Sequence, residues 1–276
     1  MTISDLRRVP IGPVRLATRE RSGNGAAVLF IHGSWDDHAS WLSTWSAMSQ
    51  TNHLFAYDRR GHSASTDVAG QGTIGDDVDD AAGLIRHIGA GPVHVVGHSY
   101  GANIAIQLGV AHPQLVSSLY LHEPPLFGLL GADDEHRRLA DAARRNMASV
   151  VELIDEGAIE AAARTFYELV AFGPGSWSET FDHHARATAV ANVDTWLDQF
   201  HDPQRLAVDV GPLVAFAGSI TISCGSNTLP SFAAVCGAVV DLVPAASLVT
   251  IDGAGHAAPV THGASLAAAI GRHLRE

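Results

Sequence analysis

Ser99 stands in Gly97-His98-Ser99-Tyr100-Gly101, with a glycine two residues away on each side. The apolar run at 93–96 reads as a buried strand, and residues 101–111 read as a helix. A serine at so sharp a strand-to-helix turn is held in a strained conformation. Only residues without a β-carbon let strand and helix pass that closely. The turn lifts the hydroxyl to the top of a sheet and aims backbone N–H groups at whatever it attacks. An unassisted hydroxyl is a poor nucleophile, so it needs a general base and a group to orient that base. Of the 16 histidines the best base is His256, in Asp252-Gly253-Ala254-Gly255-His256. It follows the last strand pattern and precedes an amphipathic helix expected over 264–274, and the glycines let its loop fold toward the serine.

The elements that must hold these groups alternate between short β-rich runs and helical patterns. That alternation is the signature of a mostly parallel sheet covered by helices on both faces. Strands are expected at 14–18, which alternates like an edge strand, and at 27–31, 53–57, 93–96, 119–121, 220–223 and 248–251. In open α/β sheets, sites collect at the carboxyl ends of strands. The inner strands here end in Gly-, His- or acid-containing segments such as His32-Gly33 and Asp58-Arg59-Arg60-Gly61. From about Leu126 to Arg205 the alternation stops. Met147, Val151 and Ile154, then Ile159, Ala163, Phe166 and Val170, follow helical spacing, with a helix start at Asp133-Asp134 and a break at Gly173-Pro174-Gly175. The organisation expected is a core of residues 1–125 and 206–276 with a helical cap at 126–205.

Composition narrows the function classes. A formal charge of −12 disfavours nucleic acid and anionic membranes as partners. Cys224 and Cys236 cannot make a disulfide framework. No apolar run approaches the ~18 residues of a membrane span, and the first residues lack the apolar core of a signal peptide. A soluble cytoplasmic protein is expected, with a homodimer as an open option. His32, His62, His98 and His256 cluster near strand ends without helical H-x-x-x-H spacing or a cysteine set. No metal is therefore expected, and packing or hydrogen bonding is the expected role of His62 and His98.

Taken together, the chain resembles the α/β-hydrolase fold superfamily over nearly its whole length. The resemblance rests on His32-Gly33-Ser34-Trp35, Asp58-Arg59-Arg60-Gly61-His62-Ser63, the turn at Ser99 and Gly253-Ala254-Gly255-His256, in that order. It implies an oxyanion hole made by the backbone N–H groups of Ser34 and Tyr100, a structural role for the 58–63 turn, and no cofactor. Most members carry the triad acid after the strand that follows the cap. Here that strand ends Cys224-Gly225-Ser226-Asn227-Thr228, without a carboxylate. Asn227 and Thr228 can hydrogen-bond but offer no negative charge to an imidazolium.

Glu123, in Leu121-His122-Glu123-Pro124-Pro125, ends the strand beside the serine strand, from where a glutamate could reach the histidine. The position is similar to the acid site of some haloalkane dehalogenases and of the fungal zearalenone lactone hydrolases. The latter also resemble this chain at Thr228-Leu229-Pro230-Ser231-Phe232. Asp252 is the fallback acid, and a carboxylate that merely binds a backbone turn is the plainer reading of Glu123.

The chemistry implied is acyl transfer: Ser99 as nucleophile, His256 as base, Glu123 as its orienting acid, and water releasing the product. A serine nucleophile disfavours the alkyl-enzyme route of dehalogenases and epoxide hydrolases. Trp35, Leu126, Phe127, Met147, Trp177 and Trp196 are candidates for lining the pocket, which suits a hydrophobic ester or lactone. This predicts an enzyme of the carboxylesterase or lactonase type. A C–C bond hydrolase or other cofactor-free carbonyl chemistry could use the same site, and a non-catalytic small-ligand receptor is the alternative of another class.

Overall fold

The computed structural model describes residues 3–66, 71–131, 133–205 and 208–275. Eight strands form one sheet in the order β1-β2-β4-β3-β5-β6-β7-β8. They are β1 (Arg7–Ile11), β2 (Val14–Arg21), β3 (Ala27–Ile31), β4 (His53–Tyr57), β5 (Val93–His98), β6 (Val116–His122), β7 (Ile220–Gly225) and β8 (Ala246–Ile251). β2 pairs antiparallel with β1 and β4, and every later pairing is parallel.

Side-chain alternation explains the two-sided packing. In β3, Val28 and Phe30 face Trp41, Trp45, Leu266 and Ile270, whereas Leu29 and Ile31 belong to the opposite core with Val95, Ile104 and Val235. The first face is covered by α1 (Leu42–Ala47) and α11 (Gly263–His273), the second by α2 (Ile74–Ile88), α3 (Tyr100–Ala111) and α9 (Pro230–Leu242). Strands buried on both faces are near-continuous apolar runs, which is why they were readable from sequence.

The expectation of an edge strand at 14–18 needs correction. β2 is paired on both sides and β1 is the edge. β1 is Arg-Arg-Val-Pro-Ile, a polar segment with a proline, and proline is tolerated where the outer side of a ladder is open.

Between β6 and β7 the described chain is helical. It runs through α4 (Asp134–Asp155), α5 (Ile159–Thr165), a π-helical turn at Phe166–Ala171, α6 (Ser176–Glu179), α7 (His183–Ala191) and α8 (Val193–His201). Asp133 caps α4, its Oδ1 accepting the His136 N–H at 2.8 Å. Leu206, the expected start of the second core segment, lies outside the described residues. A short α10 (Ala258–Thr261) follows the His256 loop. Among the described residues no helix is long and apolar enough to cross a membrane.

Candidate active site

Ser99 joins β5 to α3 with φ 53° and ψ −125°, a conformation costly for any residue with a β-carbon. The flanking glycines make it possible. A β-carbon on Gly97 would lie 2.5 Å from the Gly101 carbonyl oxygen, and one on Gly101 would lie 2.2 Å from that of Ile31. The Ser99 N–H donates to His122 O at 2.9 Å, and its carbonyl accepts the Ala102 N–H at 2.8 Å, so the turn is held from both sides.

Glu123 ends β6 and is fully buried. Its φ of 48° swings the chain out of the strand direction and toward the end of β7. There the carboxylate accepts three hydrogen bonds, each at 2.7 Å. Gly225 N–H donates to Oε1, while Thr228 Oγ and His256 Nδ1–H donate to Oε2. The bond to Nδ1 sets the tautomer and leaves Nε2 as the basic ring nitrogen. Burial holds the imidazole neutral, pushing its pKa down to about 3. Phe232 stacks on the ring at 3.9 Å between centroids, and His98 Nε2–H donates to the His256 carbonyl at 2.9 Å. The imidazole is therefore fixed by a carboxylate, an aromatic face and its own backbone. Ser99 and His256 border the same cavity, and Ser99 Oγ makes no hydrogen bond with a described residue. Catalytic hydrogen bonds commonly tighten only when substrate arrives.

The turn after β3 lies against the serine: a β-carbon on Gly33 would be 3.0 Å from Ser99 Cβ. The backbone N–H groups of Ser34 and Tyr100 donate to no described acceptor, as anion-binding donors require. A buried arginine braces this turn. The Arg59 guanidinium donates to Gly33 O at 3.1 Å, Gln71 Oε1 at 2.9 Å, Gln199 Oε1 at 3.2 Å and His62 Nε2 at 3.0 Å, and pairs with Asp77 at 3.1 Å. Gln199 in turn donates to Ser34 Oγ at 2.7 Å, which ties α8 to the turn.

Two adjoining cavities, with empty space of about 470 and 920 Å³, share Ser34, Ser99, Phe166 and Ala171 as a common wall. Phe127, Met147 and Trp196 border the smaller one, as expected. Trp35, Leu126 and Trp177 border neither. Trp35 has φ 66° and is packed between Phe166 and Trp196 at 5.3 Å from each. Trp177 meets the Tyr167 ring edge-on at 5.1 Å, and Leu126 is buried in the core. Adjacency in sequence to Ser34 or to Phe127 did not mean adjacency to the cavity.

Asn227, in the segment where most members carry the acid, and Asp252, the fallback acid, make no hydrogen bond with His256. Asn227 Nδ2 donates to Gly253 O at 3.1 Å, and Asp252 is exposed. Thr228, Phe232, Arg59, Gln199 and Arg205 were not named as site residues from the sequence. The 228–232 resemblance pointed to Thr228 and Phe232 and the 58–63 motif to Arg59, whereas nothing in the sequence pointed to Gln199 or Arg205. Of the four clustered histidines, His32 meets His62 edge-on at 5.1 Å, and both rings are held neutral by burial. Asp37, His38 and Asp58 lie close enough to hold a cation, but their atoms are already engaged. Asp58 accepts from His38 and Ala64, and Asp37 from Ala39 and Ser63, making a clasp between loops.

The model of the alpha/beta hydrolase family matches residues 28–269. The chain belongs to that family. Among curated relatives of this chain, a 2-(acetamidomethylene)succinate hydrolase from Mesorhizobium japonicum is 36% identical over 113 residues, which cover 41% of this chain and 40% of that protein. An (E)-2-((N-methylformamido)methylene)succinate hydrolase from Acinetobacter baylyi is 31% identical over 105 residues, covering 38% and 40%. The match thus spans about two fifths of these relatives' length. Among solved structures, an alpha/beta hydrolase from Sphaerobacter thermophilus superposes with TM-score 0.76 at 19% identity, covering 97% of this chain and 99% of the other. Such identity speaks for the fold alone.

Proposed function

We propose that this hydrolase cleaves a carboxylic ester or lactone through an acyl intermediate on Ser99. The observation that supports this most is the buried 2.7 Å hydrogen bond from His256 Nδ1–H to Glu123, behind a serine with the backbone of a nucleophile elbow. His256 Nε2 takes the hydroxyl proton as Ser99 Oγ adds to the carbonyl carbon. Glu123 stabilises the imidazolium, and the Ser34 and Tyr100 N–H groups receive the oxyanion. The imidazolium then protonates the leaving oxygen. Water, deprotonated by the same nitrogen, releases the acid and regenerates the serine. In this reading the helices between β6 and β7 cap the site, since Met147, Phe166 and Trp196 come from them.

The acid at the end of β6 supports the narrower likeness to the zearalenone lactone hydrolases. The acetamido and formamido groups in the two relatives' names support a second reading, an N-acyl substrate attacked by the same serine. The test is turnover of p-nitrophenyl esters with mass spectrometry of protein treated with a fluorophosphonate. The expected result is one adduct on the wild type, none on Ser99→Ala, and a turnover loss of about 10³-fold or more. Ser99→Ala turning over esters at the wild-type rate would refute the reading.

A further inference from the structure

The smaller cavity beside Ser99 is apolar along most of its wall, yet Arg205 borders it. Arg205 follows α8, is only 8% exposed, and its guanidinium makes no hydrogen bond or ion pair with a described residue. The other buried arginines are matched. Arg59 has Asp77, and Arg21 donates to the carbonyls of Trp45, Met48 and Ser49. The Asp202 carboxylate, which accepts the Ile74 N–H and the Gln204 N–H, attracts the guanidinium through space but makes no ion pair with it. What Arg205 does touch is the Phe200 ring, 4.6 Å from its centroid, which positions the planar head without neutralising it. A second polar group at the same cavity is also unsatisfied: Asn103, one turn beyond Ser99, has a buried Oδ1 without a partner.

A desolvated cation with no counter-charge in contact is expensive for a fold to keep, and burial pushes this guanidinium's pKa below the ordinary arginine range in spite of the Asp202 charge. An arginine so placed gains most from a planar anion, which it can take bidentately. The larger cavity has the opposite character. Asp37 and Asp182 border it together with Asp36, whose pKa burial raises to about 7, and no described arginine does. The two cavities meet at the nucleophile, so their charges give a bound molecule a direction.

We propose that the substrate carries a carboxylate on its acyl side, docked on Arg205 in the smaller cavity, while a neutral or cationic leaving group occupies the larger one. The proposal rests on Ser99 being the nucleophile, and it replaces a purely hydrophobic substrate by an apolar one with an anionic end. Asn103 supplies a further donor to the carboxylate when its amide is turned with the nitrogen toward it.

Matched esters test this. Mono-p-nitrophenyl esters of straight-chain dicarboxylic acids with four, six and eight methylenes are compared with partners whose far carboxyl is a methyl ester. At one length or more, the wild-type kcat/KM should favour the free acid. Arg205→Met should cut that ratio by about 100-fold, the scale of losing one partner of a buried charge pair. Arg205→Gln makes the same comparison with a polar head, and Arg205→Lys should recover part of the ratio. Binding is read separately: the free dicarboxylic acid should raise the wild-type Tm but not that of Arg205→Met, and its neutral diamide should raise neither.

A ratio of one or less at every length, or equal Tm shifts in wild type and variant, would overturn the proposal. Ser99-dependent turnover without carboxylate preference defeats the Arg205 assignment alone. A dicarboxylate Tm shift that needs Arg205, with no Ser99-dependent turnover, defeats the ester reading and leaves the anion site standing.

Discussion

Replacing Glu123 by glutamine changes one atom and should still be among the most damaging small changes in the molecule. The carboxylate accepts three hydrogen bonds, and a glutamine amide has only one oxygen to accept them. With that oxygen toward Thr228 and His256, the NH₂ group faces the Gly225 N–H, donor against donor. With the amide turned, both His256 Nδ1–H and Thr228 face the NH₂ group. A hydroxyl can rotate to accept, but the imidazole then accepts only by moving its proton to Nε2, which removes the base. The first arrangement leaves one buried donor unsatisfied, about 1–3 kcal/mol of stability. Both remove the charge that stabilises the imidazolium.

An acid-to-amide change in a serine triad lowers kcat by about 10⁴-fold, which is about 5 kcal/mol of barrier. Steady-state release of p-nitrophenolate at pH 8, with urea unfolding alongside, measures both effects. Asn227→Ala and Asp252→Asn should stay within about tenfold of wild type, because neither side chain reaches the ring. If either costs more turnover than Glu123→Gln, the acid has been misassigned.

Two other expectations follow from the same geometry. His256 must be neutral to act as base, and burial holds its pKa at about 3, so kcat/KM should stay level as pH falls through 6.5 and drop only further down. Brief assays after a jump from pH 8 are required. The unfolded chain takes up protons on these buried histidines from about 6.5 downward while the fold does not, so stability declines over that window. An acid limb at or above 6.5 would contradict the burial argument. Glycine substitutions should split in sign. In Gly101→Ala the new carbon would sit 2.2 Å from Ile31 O and 2.6 Å from His32 O, both backbone, so α3 must shift and about 3 kcal/mol or more should be lost with the activity. Gly237→Ala lies in α9 with nothing within 4 Å and should gain about 0.5–1 kcal/mol. Equal urea midpoints for the two would count against the close-approach explanation of the elbow.

What was legible in the chain was whatever local pattern encodes. The glycines around Ser99, the apolar runs of β3 to β8 and the glycine approach to His256 each lie within a dozen residues. Glu123 was singled out because its strand neighbours the serine strand and the later strand end lacks a carboxylate. β1 escaped because an edge strand with a proline has little apolar signal. Trp35 misled because φ 66° turns it into the aromatic core instead of toward the cavity.

The sequence by itself determined the inner strands and the strained serine turn, which follow from short-range periodicity, and it nominated His256 and Glu123 as partners of Ser99 through the order of motifs and the family resemblance. Only the tertiary structure decided how those groups are supported. Glu123 meets Gly225, Thr228 and His256 across separations of 102, 105 and 133 residues. It likewise brought an unmatched arginine from the end of α8 to the cavity beside Ser99. No local spacing records those encounters, because they arise from parallel strands ending side by side and from helices folded back over them.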